Sequence, residues 1–368
     1  MRRVSGFVLT LLGAFFLLAA VLLRFWIAPS AVKFPLNEYQ VVTLTGTGSY
    51  FSAAQAKELN DVSVRITYTT RGDVAAGSSS TAVWDQFVSV RDVTNRQPIS
   101  YDSIREAFSR TNASLIQCCG VYISNPVSGK PNRAVHMSGI GPVFPPGTQK
   151  TTYMLFDTAA ARPEPVRYQG TSTLHGIQVY RFVETAPATR FGTEQVPGSL
   201  IGEPSQSEVS LGEYYSGTQT FYVDPVTGGP LATTQHTEVT LRDSTGATRL
   251  VGTNFTATTT PASVQAVVNK DVSGRNTINL ASVTLPLIGL IVGLVLLLAG
   301  ILLVQTGGEA AEGEFRWLWR RQLYHYPSTG PRIMYLAITV LATVTLYYEL
   351  YVGGSVSTLI LVNLHVSF

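Results

Sequence analysis

The side chains that could do chemistry are few and scattered. His136, His175 and His236 stand far apart and lack the H-E-x-x-H or paired spacing that sets two imidazoles on one helix face, so no metal site is predicted. No G-x-S-x-G elbow or phosphate-cradling Walker loop occurs, and Gly46-Thr-Gly48 by itself reads as a turn at a strand end rather than a dinucleotide fingerprint. Asp61, Asp73, Asp85 and Asp92 fall within one stretch. They offer material for a carboxylate pair of the glycosidase kind, although solvated turn acids fit the same spacing. The two cysteines, Cys118 and Cys119, are adjacent. Neighbouring Cα atoms sit about 3.8 Å apart, short of the range ordinary disulfides prefer, so three outcomes stay open: a strained vicinal bond, bridges to a second chain, or two buried thiols. In an oxidising compartment the vicinal bond is the favoured reading, stiffening a turn, with a redox switch as its sharper form. Glu349 is the one charge in the apolar run from Ile333 to Phe368, where a charge is costly and points to proton or substrate handling unless it sits at an interface.

The elements that must position these residues start in lipid. Only 13% of the 368 residues are charged, against about 25% in a soluble domain. The 26 basic and 23 acidic residues are too balanced for nucleic acid to be the default partner. Phe7 to Leu23 is apolar and follows Arg2 and Arg3; with no clear small-x-small cleavage site, it reads as a retained signal anchor over residues 1–24. Ala281 to Val304 carries no charge and is long enough, at about 1.5 Å per residue, to cross the hydrocarbon layer of roughly 30 Å. Residues 333–368 form a third apolar segment, read as truncated or fused. Arginines at 2 and 3, and at 316, 320, 321 and 332, place both flanks in the cytoplasm and residues 25–280 outside it. The inner loop, 305–332, holds an aromatic and basic stretch, Phe315 to Tyr326, read as an interfacial anchor.

The large middle segment reads as β-rich. Val62, Val64, Ile66 and Tyr68 alternate with polar residues, the period of a strand with one buried face. Residues 237–257 read as a hairpin turning at Asp243 to Gly246; Val166 to Arg181 turns around Leu174-His175-Gly176; Phe221 to Val223 runs into Asp224-Pro-Val-Thr-Gly-Gly229. Thr260 and Pro261 start a helix whose Val264, Val267 and Val268 share a face, and Gln195 to Glu213 reads as a loop. The predicted fold is thus a membrane-anchored, mainly β (α+β) extracytoplasmic domain, a sheet, sandwich or irregular barrel, flanked by transmembrane helices.

Several of these stretches also resemble a known family. Ala107-Phe-Ser-Arg-Thr-Asn-Ala-Ser-Leu-Ile-Gln-Cys-Cys-Gly120, Val143-Phe-Pro-Pro-Gly-Thr-Gln-Lys-Thr-Thr-Tyr-Met-Leu-Phe-Asp157, Leu174-His-Gly-Ile-Gln-Val-Tyr-Arg-Phe182 and Phe221-Tyr-Val-Asp-Pro-Val-Thr-Gly228 are similar, in order, to motifs of the actinobacterial PorA porin family, over about residues 1–305. Ser109 and Asn112 depart from the acid and glycine usual there. The resemblance implies a cell-envelope protein; some members form channels and others are linked to lipoglycan maturation, and no catalytic residue carries over. The tail from Tyr335 is similar to the first span of major-facilitator transporters.

These readings converge on a non-catalytic, multi-pass inner-membrane protein with no cofactor and no metal. Its outer domain is expected to bind or pass a membrane lipid or lipoglycan, in a two-anchor layout similar to scavenger-receptor class B proteins. The alternatives are a PorA-type channel, or an accessory part of a fused transporter with a transporter or envelope-assembly partner. Trp84, Phe87, Tyr153, Phe156 and Phe182 are the expected lining of an elongated apolar pocket, the plain alternative being that these rings fill a packed core.

Overall fold

The computed structural model describes residues 2–124 and 129–306. The inner loop beyond Thr306, the third apolar segment and Glu349 lie outside the described residues. The described chain forms two compact units, one of residues 19–289 and one that joins residues up to Leu18 with those from Leu290.

In the larger unit alternation does what period two dictates: buried Val62, Val64 and Ile66 interleave with exposed Ser63 and Arg65 in β2. The strands are β1 (Tyr39–Ser52), β2 (Lys57–Gly72), β3 (Thr81–Asp92), β4 (Gln97–Ser109), β5 (Tyr122–Ser124), β6 (Pro131–Asn132), β7 (Tyr153–Asp157), β8 (Arg162–Leu174), β9 (Ile177–Val196), β10 (Val209–Val223), β11 (Pro230–Arg242) and β12 (Thr248–Thr259). They form one curled antiparallel sheet in the order β6-β5-β4-β3-β2-β1-β12-β11-β10-β9-β8-β7. The chain therefore meanders outward from β1, then starts again at the far edge and meanders back, so that β1 and β12 meet in the middle.

Two short segments tie the sheet's edges together. Phe108 of β4 bridges Leu115, Ser114 bridges Ile140, and Ile140 bridges Leu155 of β7. The Leu115 N–H donates to the Gly139 carbonyl at 2.9 Å and the Ile140 N–H to the Met154 carbonyl at 2.7 Å. This path satisfies edge groups that would otherwise invite pairing with another chain. On the convex face Arg65, Arg71, Arg91, Arg167 and Arg181 are exposed. A barrel facing lipid would carry an apolar band there instead.

Three expectations change. Gly46 and Gly48 are not at a strand end but inside β1. They are glycines because β12 runs so close that a Cβ on Gly46 would lie 1.8 Å from the Thr256 carbonyl oxygen. The predicted loop over 195–213 is shorter, because β9 runs to Val196 and β10 begins at Val209. The sandwich alternative gives way to one curled sheet.

The helices are α1 (Arg2–Leu22), α2 (Ala28–Ala31), α3 (Pro261–Asn279) and α4 (Leu285–Thr306). Thr260 caps α3 by accepting from the Ser263 N–H at 3.2 Å, and Val264, Val267 and Val268 bury one face against Val179 and Leu231. Helix continues from Pro261 to Thr306, and this run and Val4–Ala31 are each long and apolar enough to cross a membrane. Within the smaller unit α1 and α4 pack through glycines spaced seven apart. A Cβ on Gly6 would meet the Gly300 carbonyl oxygen at 2.8 Å, and one on Gly13 the Leu297 nitrogen at 2.5 Å. Small residues at helical repeats let two backbones approach where lipid supplies no hydrophobic drive.

Candidate functional site

Register decides which side chains share the concave face. Val166, Glu184, Gln219, Gln235, Ala257, Gly46 and Val64 are successive cross-strand partners from β8 round to β2. Two residues along, Phe182 pairs with Phe221 and Leu44 with Ile66. The interior is thus an apolar layer with acids set into it. All seven buried charged-type side chains among the described residues are acidic: Glu38, Asp92, Glu106, Asp157, Glu164, Glu184 and Asp224.

Asp157, Glu164 and Glu184, from β7, β8 and β9, are neighbours, with Tyr215 of β10 close by. Arg162 pairs with Glu164 at 2.5 Å. Asp157 Oδ1 accepts from the Ala159 and Ala160 N–H groups at 2.8 and 2.9 Å. Its Oδ2 and both oxygens of Glu184 are buried with no hydrogen bond. Burial, then the charges of Asp157 and Glu164, push the Glu184 carboxyl up to about 8. Burial likewise raises Asp157, and takes Glu106 to about 7. Tyr68 is pushed up to about 12 by burial, although its hydroxyl bonds Gln235 across the interior at 3.0 Å. At neutral pH Glu184 is mostly a neutral acid, able to gain or lose a proton. The arrangement can hold protons or favour a positive charge; it offers no anion a partner.

The sequence-predicted residues fall in several places. Trp84 packs edge-on to Phe34 and Phe108, and Tyr153 and Phe182 surround Phe144, all in one buried cluster. Phe156 belongs to a second cluster. Phe87 is exposed on the convex face, stacked on Tyr101 at 5.9 Å. Four of the five rings therefore fill packed interior and the fifth faces away; the structure does not gather them around one chamber. Cys118 and Cys119 form a vicinal disulfide in a turn where Cys119 and Gly120 both have positive φ. Arg105 and Arg133 hold that turn through the Cys119 and Gly120 carbonyls. With Asp85 and Tyr122 these residues line an open polar depression of about 480 Å³. Asp73 and Asp85 do come together, but clamp Arg105 between them at 2.5 and 2.8 Å, which leaves no free acid pair. Asp92 is held by Tyr50 and Asn95 elsewhere. His175 lies in the β8–β9 turn and His236 against Thr256, apart from each other. Among the described residues no group of three or more His, Cys, Asp or Glu is placed to hold a metal.

Sequence reasoning passed over Glu164 and Glu184. The available signal was parity: Phe182, Glu184 and Ala186 alternate on one face of a strand, so an acid sits at a buried position.

The model of a protein family described as Porin PorA matches residues 5–302. No curated protein matches the chain.

Proposed function

The chain belongs to the PorA porin family, and from that premise we propose that it is a non-catalytic integral membrane protein of the cell envelope with a channel-like role. In this reading the helices cross the plasma membrane and the curled sheet stands outside the cytoplasm. The arginine-rich convex face keeps the sheet out of lipid, so the path through lipid is made by the helices, and a solute reaches the acids of the concave face only when its packed interior opens. The observation that carries the reading is the sign of the buried charge. Every buried charged-type side chain described is an acid, and Asp157 and Glu184 have no basic partner among the described residues. Once ionised, such acids favour cations over anions at short range, where the local dielectric is low.

The test is ion flux from liposomes reconstituted with the full-length chain. Above about pH 8, where Glu184 is ionised, potassium release faster than chloride release, reduced by Glu184→Gln, supports the proposal. Tight vesicles at every protein density refute it. Native mass spectrometry of the same preparation reads the alternative, since a co-purifying lipid or lipoglycan on a chain that conducts nothing favours a carrier.

A further inference from the structure

Two stretches that stood out in the sequence, Val143-Phe-Pro-Pro-Gly147 and Asp224-Pro-Val-Thr-Gly228, meet in the folded chain. The Phe144 N–H donates to the Gly228 carbonyl at 2.9 Å and the Gly147 N–H to the Val226 carbonyl at 3.1 Å. A Cβ on Gly228, whose φ is +78°, would lie 2.0 Å from the Phe144 carbonyl oxygen, so the loop rests directly on the turn. That contact sends the Phe144 ring into the concave face, stacked on Phe182 at 4.8 Å and 0–2% exposed like its partner.

The same turn is gripped from its other side by α3. Thr227 Oγ1 donates to Asp271 at 2.5 Å, and Arg275 donates to Asp224 at 2.6 Å. The charge of Asp224 acts on the Asp271 carboxyl from the same turn. Each of the two carboxyl groups carries a buried Oδ2 that no group satisfies, and two such acids beside a single guanidinium favour a proton on one of them. The charged groups facing Asp271 are Asp224 from the turn and Arg275 from its own helix; the Phe144 loop presents only backbone and apolar atoms, and Lys270 turns away to Glu38. Helix α3 runs without a break towards the apolar span of α4.

We propose that Asp271, Asp224 and Arg275 form a proton-operated latch that joins the stem of the membrane helix to the loop holding Phe144 inside the sheet. With a proton on Asp271, one carboxylate faces one guanidinium and the junction is closed. Without it, two carboxylates share one guanidinium in a buried site, and repulsion loosens the turn and with it the loop. That the loosened loop opens the concave face to solute rests on the channel-like reading; the latch does not.

Burial, with the charge of Asp224, raises the Asp271 carboxyl to about 7, which places the last part of the transition, and its end, near neutrality. Hydrogen exchange followed by mass spectrometry on the full chain in detergent, corrected for intrinsic rates, reads it directly. Protection of peptides covering 142–148 and 224–229 is expected to fall about tenfold between pH 6 and pH 8. Asp271→Asn mimics the protonated acid and should keep protection at both values. Arg275→Gln removes the cation that favours ionisation, and should move the loss to higher pH. Unchanged protection in the wild-type chain, the same loss in Asp271→Asn, or a midpoint that Arg275→Gln leaves in place or lowers would each overturn the latch. Exchange needs no solute to pass, so a chain that conducts nothing still tests it.

Discussion

Replacing Glu184 by Gln should stabilise the protein, and by an amount that depends on pH. In the folded chain its carboxyl lies in a 1% exposed position with both oxygens unbonded, and burial with two acidic neighbours raises it from 4.5 to about 8. An acid raised on folding binds more protons in the folded state than in the unfolded one at every pH between the two values. Its contribution to stability is therefore complete below about pH 4.5, declines as pH rises, and levels off above about pH 8. Each unit is worth about 1.4 kcal/mol, so the shift sets a ceiling near 5 kcal/mol; relaxation and water entry bring the expectation to about 2–4 kcal/mol. Gln keeps the shape of the neutral acid and never ionises. The variant should match wild type near pH 4.5 and exceed it by about 2–4 kcal/mol at pH 8. Guanidinium unfolding of the detergent-solubilised chain, followed through the buried Trp84, measures both pH slopes. Other raised acids, Glu106 and Asp271 among them, tilt both curves alike, so the difference between the curves isolates Glu184. Parallel curves, or a variant less stable than wild type at pH 8, would refute the reasoning.

Gly228→Ala should cost at least about 2 kcal/mol, because the added carbon meets the Phe144 carbonyl oxygen at 2.0 Å and the residue has φ of +78°; a loss in thermal midpoint checks it. Gly300→Val should separate α1 from α4, since even a Cβ there reaches the Thr10 nitrogen at 2.5 Å, and a fall in the thermal midpoint of the detergent-solubilised chain checks it. Non-reducing peptide mapping should find Cys118 and Cys119 in one peptide lacking two hydrogens, whereas two alkylated thiols would show the pair reduced. An impermeant thiol reagent should label a cysteine placed at Ser205 and not one at Thr306, in a background where Cys118 and Cys119 are serine, if the sheet stands outside the cytoplasm.

What the sequence revealed was local. Thr260-Pro261 starts a helix wherever it occurs, Asp243-Ser-Thr-Gly246 turns the chain between strands, and the alternation of Val62, Val64 and Ile66 commits one face to burial without knowing its partner. The pairing of β1 with β12 joins residues some two hundred positions apart, and no periodicity encodes it. The closure through Ser114 and Ile140 is harder still, because those residues make single bridges rather than strands. The pocket expectation failed on parity that the sequence already contained. Trp84 and Phe87 are three apart in β3, which puts them on opposite faces, and so one is interior and the other exposed. Glu164 and Glu184 obey the same rule in reverse, as polar residues at apolar positions. The meeting of the Phe144 loop with the Asp224 turn depends on tertiary packing alone.

The central claim, a cation-favouring passage governed by buried acids, is tested most directly by reversal potential across a planar bilayer holding the full-length chain in a potassium chloride gradient. Above about pH 8, where Glu184 is ionised, the account predicts a potential displaced towards the potassium equilibrium value, and a smaller displacement with Glu184→Gln. A displacement towards chloride, or no conductance at any protein concentration, would contradict it.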